Sequence, residues 1–424
     1  MKIAVWYNLP SGGAKRALYN HVRALVERGH TVEAWCPPTA DRTYLPLGEL
    51  VREHVVPATR RRASSPYSPS NLLRLRTVNM LWLEENDEYA RLCAEEINRG
   101  DFDLLFANTS LEIAVSSIGR HVRAPSVLYL QEPSRWLYEA QPELAWAAPP
   151  PNGRAFWTPR GIKNFLHDTV RVHGFRVQAR EEWVNARAFD AMLVNSFFSR
   201  ESVLRTYGVD ARVCYLGVDN SKFVNLHLPR ENFVVGVGAV APRKNVRLVI
   251  ESLALIGEPQ RPRLVWIGDT SKPEHFEELK ELARARRVDF VVEVRITDDA
   301  LIDYLNRAAM MVYTPRLEPF GYAPLEANAC GMSVVGVAEG GLKETVVDGV
   351  TGLLVEHDDP HQIAAAVEHL LRNPDVASKL GENGERLVAE RWTVDAAAGR
   401  LEGRLLETLQ EVRAQRGSTQ KGEG

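Results

Sequence analysis

Hydrophobic and polar positions repeat along the chain in the order apolar run, polar loop and amphipathic segment. Residues 2–7 form an apolar run that predicts a buried strand. Between Lys15 and Arg28, apolar residues recur at positions 18, 22, 25 and 26, which is the spacing of one helix face. Residues 31–35 predict a second strand. This order of strand, helix and strand is typical of a parallel α/β sheet.

The same order continues to the end of the chain and predicts two α/β halves. Further strands are predicted at 104–106, 126–130, 191–195, 213–216, 233–240, 263–267, 289–294, 310–314, 333–337 and near 353. Residues 220–231 are polar and contain proline, which is typical of a hinge. We therefore predict two doubly wound, Rossmann-like domains at 1–222 and 232–392 that face each other across a cleft. A last helix follows at 393–414, and the residues 415–424 are predicted to be a disordered tail.

Composition restricts the class of protein without identifying it. A chain of 424 residues exceeds the size of one ordinary core, so two domains are expected. The net charge of -3 argues against a nucleic-acid partner. The four cysteines are far apart in sequence and form no C-x-x-C pair, so no zinc or redox motif is indicated. No apolar run approaches the roughly 18 residues that a membrane span needs, and a cytoplasmic protein is expected.

The stretch from Glu318 to Glu326 carries the strongest local signal for chemistry. Gly321 allows close approach to the backbone, and Pro324 suits the first turn of a helix. The free N–H groups and the dipole of a helix start make an anion site. Glu326 lies about one turn into that helix, so its side chain can reach a group bound at the start. The alternative is a solvated loop glutamate followed by an ordinary helical one.

Two further features of the second half follow predicted strands. Arg243 and Lys244 come after the strand at 233–240, and Gly340 and Gly341 come after the strand at 333–337. The carboxyl ends of parallel strands share one edge of the sheet, where ligands bind. An arginine and a lysine beside a helix start suit a diphosphate and would neutralise it without a metal ion.

In the first half, two polar loops are candidate binding sites. Gly12 and Gly13 follow the first strand, although the G-x-G-x-x-G dinucleotide fingerprint is absent. Gln131 and Glu132 follow the strand at 126–130 and are either site residues or part of a tight polar turn. The Asp-x-Asp sequence at 101–103 could hold a metal ion, but it directly precedes a core strand, and we favour no metal.

Two segments depart from this repeating order. Residues 57–76 contain a basic run, which indicates either a solvated loop or a basic lip for an anionic acceptor or an anionic lipid. Residues 136–183 contain four tryptophans with scattered cations. Such a segment either covers a satellite core or lies on a membrane interface.

The chain resembles the large family of retaining glycosyltransferases with the GT-B fold and a Glu–seven–Glu motif (glycosyl transferases group 1, family four). The resemblance covers nearly the full chain. It rests on several short motifs taken in order, namely Gly12-Gly13, Gly217-Val218-Asp219, Pro242-Arg243-Lys244-Asn245, Gly268-Asp269, Glu318 to Glu326, Gly340-Gly341 and the segment from Asp348 to Val355. Each motif is weak alone, whereas the ordered set is specific.

The resemblance implies a role for several of these residues. Arg243 and Lys244 would hold the donor diphosphate, and Glu326 would bind the ribose. Glu318, with the backbone of Phe320 and Gly321, would contact the donor sugar, while Gly12 and Gly13 would admit the acceptor and the phosphate. The donor phosphate would itself take the acceptor proton. The last helix would return to the first domain.

This chain departs from the family at two positions. It has Ala239 where the family commonly has arginine, and Gln131 where it often has histidine.

The function that the resemblance implies is transfer of a hexose from a UDP- or GDP-sugar to a saccharide or lipid-linked acceptor, without a metal or other cofactor. The alternatives are a nucleotide-sugar epimerase and a non-catalytic nucleotide-sugar binder of the same fold. A peripheral contact with the inner face of the membrane is left open. The identity of the sugar, the acceptor and the oligomeric state are not indicated.

Overall fold

Two parallel β-sheets organise the chain, one in each of two structural units. The computed structural model describes residues 1–57, 78–110, 113–138, 158–268, 273–356 and 359–422. Unit 1 comprises Met1–Asn195, Ser199–Cys214 and Ala398–Gly424, and unit 2 comprises Ser196–Phe198 and Tyr215–Ala397. The predicted α/β fold class, with a parallel sheet in each half, is confirmed.

The strands in chain order are β1 (Lys2–Asn8), β2 (Thr31–Cys36), β3 (Arg52–Val55), β4 (Leu104–Ser110), β5 (Ser126–Tyr129), β6 (Ala191–Val194), β7 (Arg212–Val213), β8 (Glu231–Val237), β9 (Arg263–Ile267), β10 (Phe290–Glu293), β11 (Ala308–Tyr313), β12 (Val334–Val337) and β13 (Gly352–Val355). The helices are α1 (Gly13–Glu27), α2 (Val78–Arg99), α3 (Arg135–Tyr138), α4 (Pro159–Ala186), α5 (Phe197–Tyr207), α6 (Val246–Ala254), α7 (Pro273–Ala285), α8 (Asp298–Arg307), α9 (Tyr322–Ala329), α10 (Leu342–Thr345), α11 (Pro360–Arg372), α12 (Pro374–Arg391) and α13 (Val394–Gly422).

The sheet of unit 1 has the order β3-β2-β1-β4-β5-β6-β7, with parallel pairing between neighbours. Its interior strand β1 contains Ile3, Ala4 and Val5, none of which is exposed. A strand that is buried on both faces reads as a continuous apolar run, because helices cover both sides of a parallel sheet. This explains why the apolar run at 2–7 predicts the strand so directly.

The last helix returns to unit 1, as the resemblance implied. Leu401, Leu405, Leu409 and Val412 are buried along one stripe of α13. On the same helix, Glu402 accepts hydrogen bonds from Arg28 and His30 within unit 1, each at 2.9 Å. These contacts hold the helix against residues that follow α1.

The sheet of unit 2 has the order β10-β9-β8-β11-β12-β13, again with parallel pairing. The two central strands β8 and β11 lie side by side, and the loops after them leave the same edge of the sheet. Arg243 and Lys244 lie on the loop after β8, and Glu318 lies on the loop after β11. The topology therefore brings together segments that are about seventy residues apart in sequence.

Helix α9 is held in place by a close approach of α12. A Cβ atom added at Gly381 on α12 would lie 2.0 Å from the carbonyl oxygen of Gly331, just after α9. One added at Gly384 would lie 2.6 Å from Cγ of Asn328 on α9. Only glycine fits at these two positions, so the backbones of the two helices can approach closely.

The largest difference from the sequence analysis is helix α4, which spans 28 residues where no helix was predicted. Its buried positions include Gly174, Gln178 and Glu182, which recur at the spacing of one helix face. A helix whose buried face is made of glycine and polar residues presents no apolar stripe, and the periodicity therefore could not indicate it.

Other differences lie at the edges of elements. Strand β3 was not predicted, and β7 ends at Val213, shorter than the predicted strand at 213–216. The expectation of a disordered tail from residue 415 is also wrong up to Gly422, since α13 continues to that residue. Extending an existing helix requires no new nucleation, so polar residues can remain helical there. The basic run at 60–62, Asp269, Trp146 and Trp157 lie outside the described residues.

The glycine contact between α12 and α9 makes a testable prediction. Gly381→Ala forces a Cβ atom against a backbone carbonyl, and we expect a loss of about 2 kcal/mol in the free energy of unfolding. The matched control is Gly403→Ala on α13, where an added Cβ meets nothing within 4 Å. There we expect a gain of about 0.5 to 1 kcal/mol, because alanine favours the helix. Thermal unfolding of both variants measures this, and equal stability of the two would contradict the proposed packing.

Candidate active site

The stretch Glu318 to Glu326 has the geometry that its sequence indicated. Helix α9 begins at Tyr322, with Gly321 at its N-cap in a left-handed conformation (φ 90°) and Pro324 in the first turn. The start of the helix lies just after β11 at the edge of the sheet of unit 2. Glu326 on this helix is buried, with 6% of its surface exposed. The predicted helix start is therefore confirmed, whereas its binding of an anion stays a prediction.

Lys244 and Glu318 form an ion pair at this edge. The Lys244 Nζ donates a hydrogen bond to Glu318 Oε2 at 2.8 Å. Both side chains are largely buried, and Lys244 is only 8% exposed. Burial first, and the Glu318 carboxylate second, raise the pKa of the neighbouring Tyr313 hydroxyl well above its ordinary value. Tyr313 is therefore neutral at physiological pH, and the two charges of the ion pair belong to Lys244 and Glu318.

The backbone on either side of this ion pair is strained. Asn245, directly after Lys244, has φ 53°, and Leu317, directly before Glu318, has φ 47°. Positive φ values are uncommon for residues other than glycine, and they persist where the surrounding structure holds them. The hydroxyl of Thr314 contributes by donating to the Asn245 carbonyl at 3.2 Å. The positions of both charged side chains are thus fixed by the backbone.

Gly340 and Gly341 approach the loop of Glu318. An added Cβ at Gly340 would lie 2.5 Å from the Glu318 carbonyl oxygen, and one at Gly341 would lie 2.2 Å from that of Pro319. The Gly341 N–H donates to the Glu318 carbonyl at 2.7 Å. The close approach expected of this glycine pair is therefore made with the chain's own backbone. Its proposed contact with substrate stays a prediction.

Arg243 and Phe320 occupy different surroundings from Lys244 and Glu318. The Arg243 side chain is exposed, so its charge can meet a ligand from solvent. The Phe320 ring is buried and packs against Trp392 and Tyr322, with ring centroids 5.7 and 6.2 Å apart. The side chain of Phe320 is therefore part of the core of unit 2, and a contact of its backbone with a substrate stays a prediction.

Sequence reasoning missed Glu339, which supports the same loop. Its Oε2 atom accepts a hydrogen bond from the Leu317 N–H at 3.2 Å and lies 3.4 Å from the Arg316 Nε. Its position directly before the glycine pair was visible in the sequence. Its partners, more than twenty residues away, could not be identified without the fold.

In unit 1, the glycine loop leads into α1 as predicted. Gly12 is the N-cap of α1 with φ 133°, and added Cβ atoms at Gly12 and Gly13 would meet nothing within 4 Å. The loop is exposed. Gly12 is thus required by its backbone conformation, and open space lies beside both residues.

Gln131 and Glu132 follow β5 in a loop that other residues of unit 1 fix. The Ser199 hydroxyl donates to the Gln131 carbonyl at 2.9 Å, and Glu132 lies 3.6 Å from Arg135 as an ion pair. The Gln131 side chain is partly exposed. The contacts fit a defined polar turn, and the binding of substrate by these two residues stays a prediction.

A buried carboxylate that the sequence analysis did not identify lies under this loop. Glu182 on α4 is completely buried and accepts hydrogen bonds from Ser134 at 2.7 Å, Gln178 at 3.1 Å and Tyr207 at 2.8 Å. Burial and the Glu182 charge raise the pKa of Tyr207 well above its ordinary value. Glu182 thus ties α4 to the loop that follows Gln131 and Glu132.

Several buried polar atoms near the carboxyl edge of the first sheet have no hydrogen-bond partner among the described residues. They are Lys15 Nζ, Asn8 Nδ2, Asn108 Nδ2 and Ser110 Oγ. Asn8 and Ser110 are register partners at the ends of β1 and β4, and Lys15 lies in the first turn of α1. Buried polar atoms without partners are rare in folded proteins. This edge, beside the glycine loop, is therefore a second candidate site.

Lys15 is the most unusual of these groups. Its residue surface is fully buried, and its Nζ lies 4.0 Å from the centroid of the Tyr7 ring. Burial lowers its pKa below the ordinary 10.5, while the Glu53 carboxylate opposes that shift. Glu53 itself accepts hydrogen bonds from Tyr7 and Arg42. The ammonium is thus close to a carboxylate whose oxygens are bonded to other donors.

Among the described residues, no group of three or more His, Cys, Asp and Glu side chains is placed to hold a metal ion. The Asp-x-Asp sequence has a structural role at its second carboxylate. Asp103 accepts hydrogen bonds from the Lys2 N–H at 2.8 Å and from Arg413 at 3.0 Å. Asp103 lies directly before β4.

Comparison with known proteins identifies the family. The family model described as "Glycosyltransferase Family 4" matches residues 11–222, and the model "Glycosyl transferases group 1" matches residues 218–387. The chain belongs to this glycosyltransferase family, which confirms the family indicated by its motifs.

Curated relatives share moderate identity over part of their length. The α-maltose-1-phosphate synthase of Mycolicibacterium smegmatis is 30% identical over 51% of this chain and 63% of that protein. The D-inositol 3-phosphate glycosyltransferase of Streptomyces bingchenggensis is 30% identical over 53% of each. Human α-1,3/1,6-mannosyltransferase ALG2 is 26% identical over 51% of this chain and 58% of that protein. The matches thus span between about half and two-thirds of each relative.

Solved structures share the fold over almost the whole chain. Anabaena Alr3699/HepE in complex with UDP and glucose has a TM-score of 0.67 at 19% identity and covers 96% of this chain and 99% of its own. Sucrose-phosphate synthase of Thermosynechococcus elongatus has a TM-score of 0.71 at 19% identity, with coverage of 97% and 99%. At such low identity the likeness shows the fold alone, and that fold is GT-B.

Lys15, whose ammonium has no hydrogen-bond partner among the described residues, gives a prediction about stability. Replacing Lys15 by methionine removes the burial of a charge, and we expect the free energy of unfolding to rise by about 1 kcal/mol or more. Its lowered pKa means that the unfolded chain binds the proton more tightly. Stability of the wild type therefore rises as the pH increases towards 10.5, and the gain from Lys15→Met shrinks over the same range.

Denaturant unfolding at neutral and alkaline pH measures this gain. Lys222→Met, at an exposed position, is the control and should change stability by less than about 0.5 kcal/mol. A Lys15→Met variant that is destabilised at neutral pH would show that the ammonium has a favourable structural partner instead.

Proposed function

We propose that this protein is a retaining glycosyltransferase that moves a hexose from a nucleotide diphosphate sugar to a saccharide or lipid-linked acceptor. The observation that carries the proposal is the Lys244–Glu318 ion pair, which lies at the carboxyl edge of the second sheet together with the start of α9. A UDP- or GDP-sugar is the proposed donor. The structural neighbour HepE forms complexes with UDP, with UDP and glucose and with UDP-glucose, which favours a UDP-sugar.

The proposed donor site combines three sources of positive potential. Lys244 has three N–H donors, so it can hold Glu318 and still donate to a phosphate oxygen. Arg243 is exposed and can reach the diphosphate from solvent. The free N–H groups at the start of α9 add a helix-end anion site. Together they would neutralise the diphosphate as it leaves, in place of a metal ion.

The two carboxylates have separate proposed roles. Glu326, on the first turns of α9, would accept hydrogen bonds from the ribose hydroxyls. Glu318 would face the sugar and stabilise positive charge at its anomeric carbon. Its short contact with Lys244 holds it beside the proposed phosphate site.

The proposed reaction breaks the bond between the anomeric carbon and the phosphate oxygen and forms one from that carbon to the acceptor oxygen on the same face. The acceptor hydroxyl gives its proton to the departing phosphate oxygen, so no separate base is required. Unit 1 would supply the acceptor-binding residues, with Gly12 and Gly13 beside open space and Gln131 and Glu132 in a fixed loop.

Two alternatives make different demands on the same residues. An epimerase needs additional acid–base groups around the sugar. A non-catalytic binder needs only the phosphate and ribose contacts. We favour transfer because of the largely buried Glu318, which is held beside Lys244. In its proposed place this carboxylate would stabilise positive charge at the anomeric carbon, and such charge develops only during transfer.

Variants of Lys244 and Glu326 test the donor site. Lys244→Ala removes phosphate charge and Glu326→Ala removes the ribose contact. We expect each to lower kcat/KM by roughly 10² to 10³. The assay follows release of nucleotide diphosphate from UDP-, GDP-, ADP- and TDP-sugars, with and without acceptor saccharides. Circular dichroism checks the fold of each variant.

The matched control is Lys222→Ala, at an exposed position in the same unit, which should retain full turnover. Full activity of Lys244→Ala or Glu326→Ala would overturn the site assignment. Interconversion of donor sugars without release would indicate an epimerase, and donor binding without turnover in any mixture would indicate a binder.

Glu318→Gln separates binding from transfer. Removing the carboxylate frees the Lys244 ammonium for phosphate, so we expect UDP or GDP to bind up to about fivefold more tightly. Turnover should nevertheless fall, because charge at the anomeric carbon is no longer stabilised. Calorimetric titration with the nucleotide diphosphate and the release assay measure the two effects. Parallel loss of both would mean that Glu318 only supports the fold of the site.

A further inference from the structure

Four hydrogen-bond donors converge on the carboxylate of Glu182, which is completely buried on α4. Its Oε1 atom accepts hydrogen bonds from the Ala114 N–H at 3.2 Å, the Ser134 hydroxyl at 2.7 Å and the Gln178 amide at 3.1 Å. Its Oε2 atom accepts one from the Tyr207 hydroxyl at 2.8 Å. Burying a carboxylate is costly unless hydrogen bonds replace its water. These four donors supply that replacement.

Two of the four donors belong to loops that follow neighbouring strands. Ala114 lies in the loop after β4, and Ser134 lies in the loop after β5. The strands β4 and β5 pair in parallel, so both loops leave the same edge of the sheet, where ligands bind. The loop after β5 contains Gln131 and Glu132, which are candidate binding residues. One buried carboxylate therefore connects two adjacent loops of this edge.

In the loop after β4, Ala114 is the residue on which the local hydrogen bonds meet. Its carbonyl oxygen accepts hydrogen bonds from the Ser110 N–H at 3.4 Å and from the Thr109 hydroxyl at 3.1 Å. Its N–H is the group that donates to Glu182. The end of β4 is thus bonded to a residue that the carboxylate holds in place.

The loop after β5 is fixed at two points. The Ser199 hydroxyl donates to the Gln131 carbonyl at 2.9 Å, and Glu182 holds the Ser134 hydroxyl three residues later. The side chains of Gln131 and Glu132 are partly exposed. They therefore lie on a short backbone segment whose first and last residues are both held by hydrogen bonds.

The network requires a carboxylate at this position. All four partners are donors, and an ionised carboxylate has only acceptors, whereas an amide of the same size would bring two donors of its own. Hydrogen bonds to an ionised acceptor are also roughly twice as strong as neutral ones. The charge of Glu182 therefore strengthens each of the bonds that fix the two loops.

We propose that Glu182 is a positioning residue that holds the loops after β4 and β5 in the geometry that binds the acceptor saccharide. This inference rests on the proposed function. Glu182 has no exposed surface, so it acts through the partly exposed Gln131 and Glu132 rather than by touching the acceptor. Side chains on a loop keep a defined geometry only where supporting hydrogen bonds fix that loop.

Ser134→Ala tests this role, because it removes one hydrogen bond from the loop and leaves the carboxylate in place. We expect the KM for the acceptor to rise about tenfold, while kcat changes by less than about twofold. Binding of UDP should not change. Release of nucleotide diphosphate in the presence of methyl glucoside or methyl mannoside gives KM and kcat, and calorimetric titration measures UDP binding.

Hydrogen exchange of the full chain provides a second measurement that needs no substrate. Ser134→Ala should make the backbone amides of residues 131–134 exchange about tenfold faster, because local opening becomes easier. Glu182→Gln keeps the size of the side chain but removes its charge and adds donors. This variant should raise the exchange of residues 113–116 as well as that of residues 131–134.

Ser252→Ala on α6 is the matched control. The Ser252 hydroxyl is also completely buried and donates one hydrogen bond, to the Leu248 carbonyl at 2.7 Å, within unit 2. This variant should lose a similar amount of stability and keep the acceptor KM of the wild type. Gln178→Met removes a donor to the same Oε1 atom from α4 itself, and the exchange of both loops should then stay unchanged.

Ser134→Ala with the acceptor KM and the loop exchange of the wild type would overturn the proposal. So would an equal rise in KM for Ser134→Ala and Ser252→Ala, because lost stability alone would then explain it. Wild-type protein that releases no nucleotide diphosphate with either saccharide would contradict the proposed function, and with it the acceptor role of these loops. Turnover by the wild type with an unchanged Ser134→Ala contradicts the positioning role alone.

Discussion

The ion pair between Lys244 and Glu318 is the constraint around which unit 2 is arranged. It joins the loops after the two central strands of a parallel sheet, and both side chains are largely withdrawn from water. A buried pair gives little net stability, because the loss of hydration offsets the attraction. Strained backbone at Asn245 and Leu317 adds a further cost. A fold that maintains such an arrangement is stabilised elsewhere. Here the close packing of α12 on α9 and the buried ring of Phe320 supply that support.

The two units hold their charges in different ways. In unit 2 the buried cation has a carboxylate at hydrogen-bond distance. In unit 1 the ammonium of Lys15 has no hydrogen-bond partner among the described residues, and the nearby Glu53 is bonded to Tyr7 and Arg42. Leaving a buried charge without a hydrogen bond is expensive. Asn8 Nδ2 and Ser110 Oγ, at the ends of the neighbouring strands β1 and β4, also have no hydrogen-bond partner among the described residues. The polar edge of the first sheet therefore has donors and acceptors whose hydrogen bonds are not satisfied within the described chain, and a polar ligand could satisfy them.

The sequence predicts the candidate site of unit 2 better than the polar edge of unit 1, for a physical reason. Gly321, Pro324 and Glu326 act through local geometry, namely the start of one helix, and local geometry is encoded in adjacent residues. Parallel topology then determines that the loops carrying Lys244 and Glu318 meet. Glu339 contacts Leu317, which is 22 positions away. Glu182 contacts Tyr207 and Ser134, which are 25 and 48 positions away, so no short motif contains these supporting contacts. The sequence analysis also proposed Gly340 and Gly341 as substrate-binding residues. Their observed close contacts are with the backbone of the Glu318 loop.

Helix α4 shows why hydrophobic periodicity can fail even for a long element. Periodicity identifies a helix by assuming that the apolar face is the buried one. In α4 the assumption is reversed, since Gln178 and Glu182 are buried while Ile162 and Leu166 are exposed. The buried polar face is possible because Glu182 is satisfied by Ser134, Gln178 and Tyr207. The sequence therefore shows no apolar stripe where this helix is buried, and its length of 28 residues gives periodicity nothing to detect.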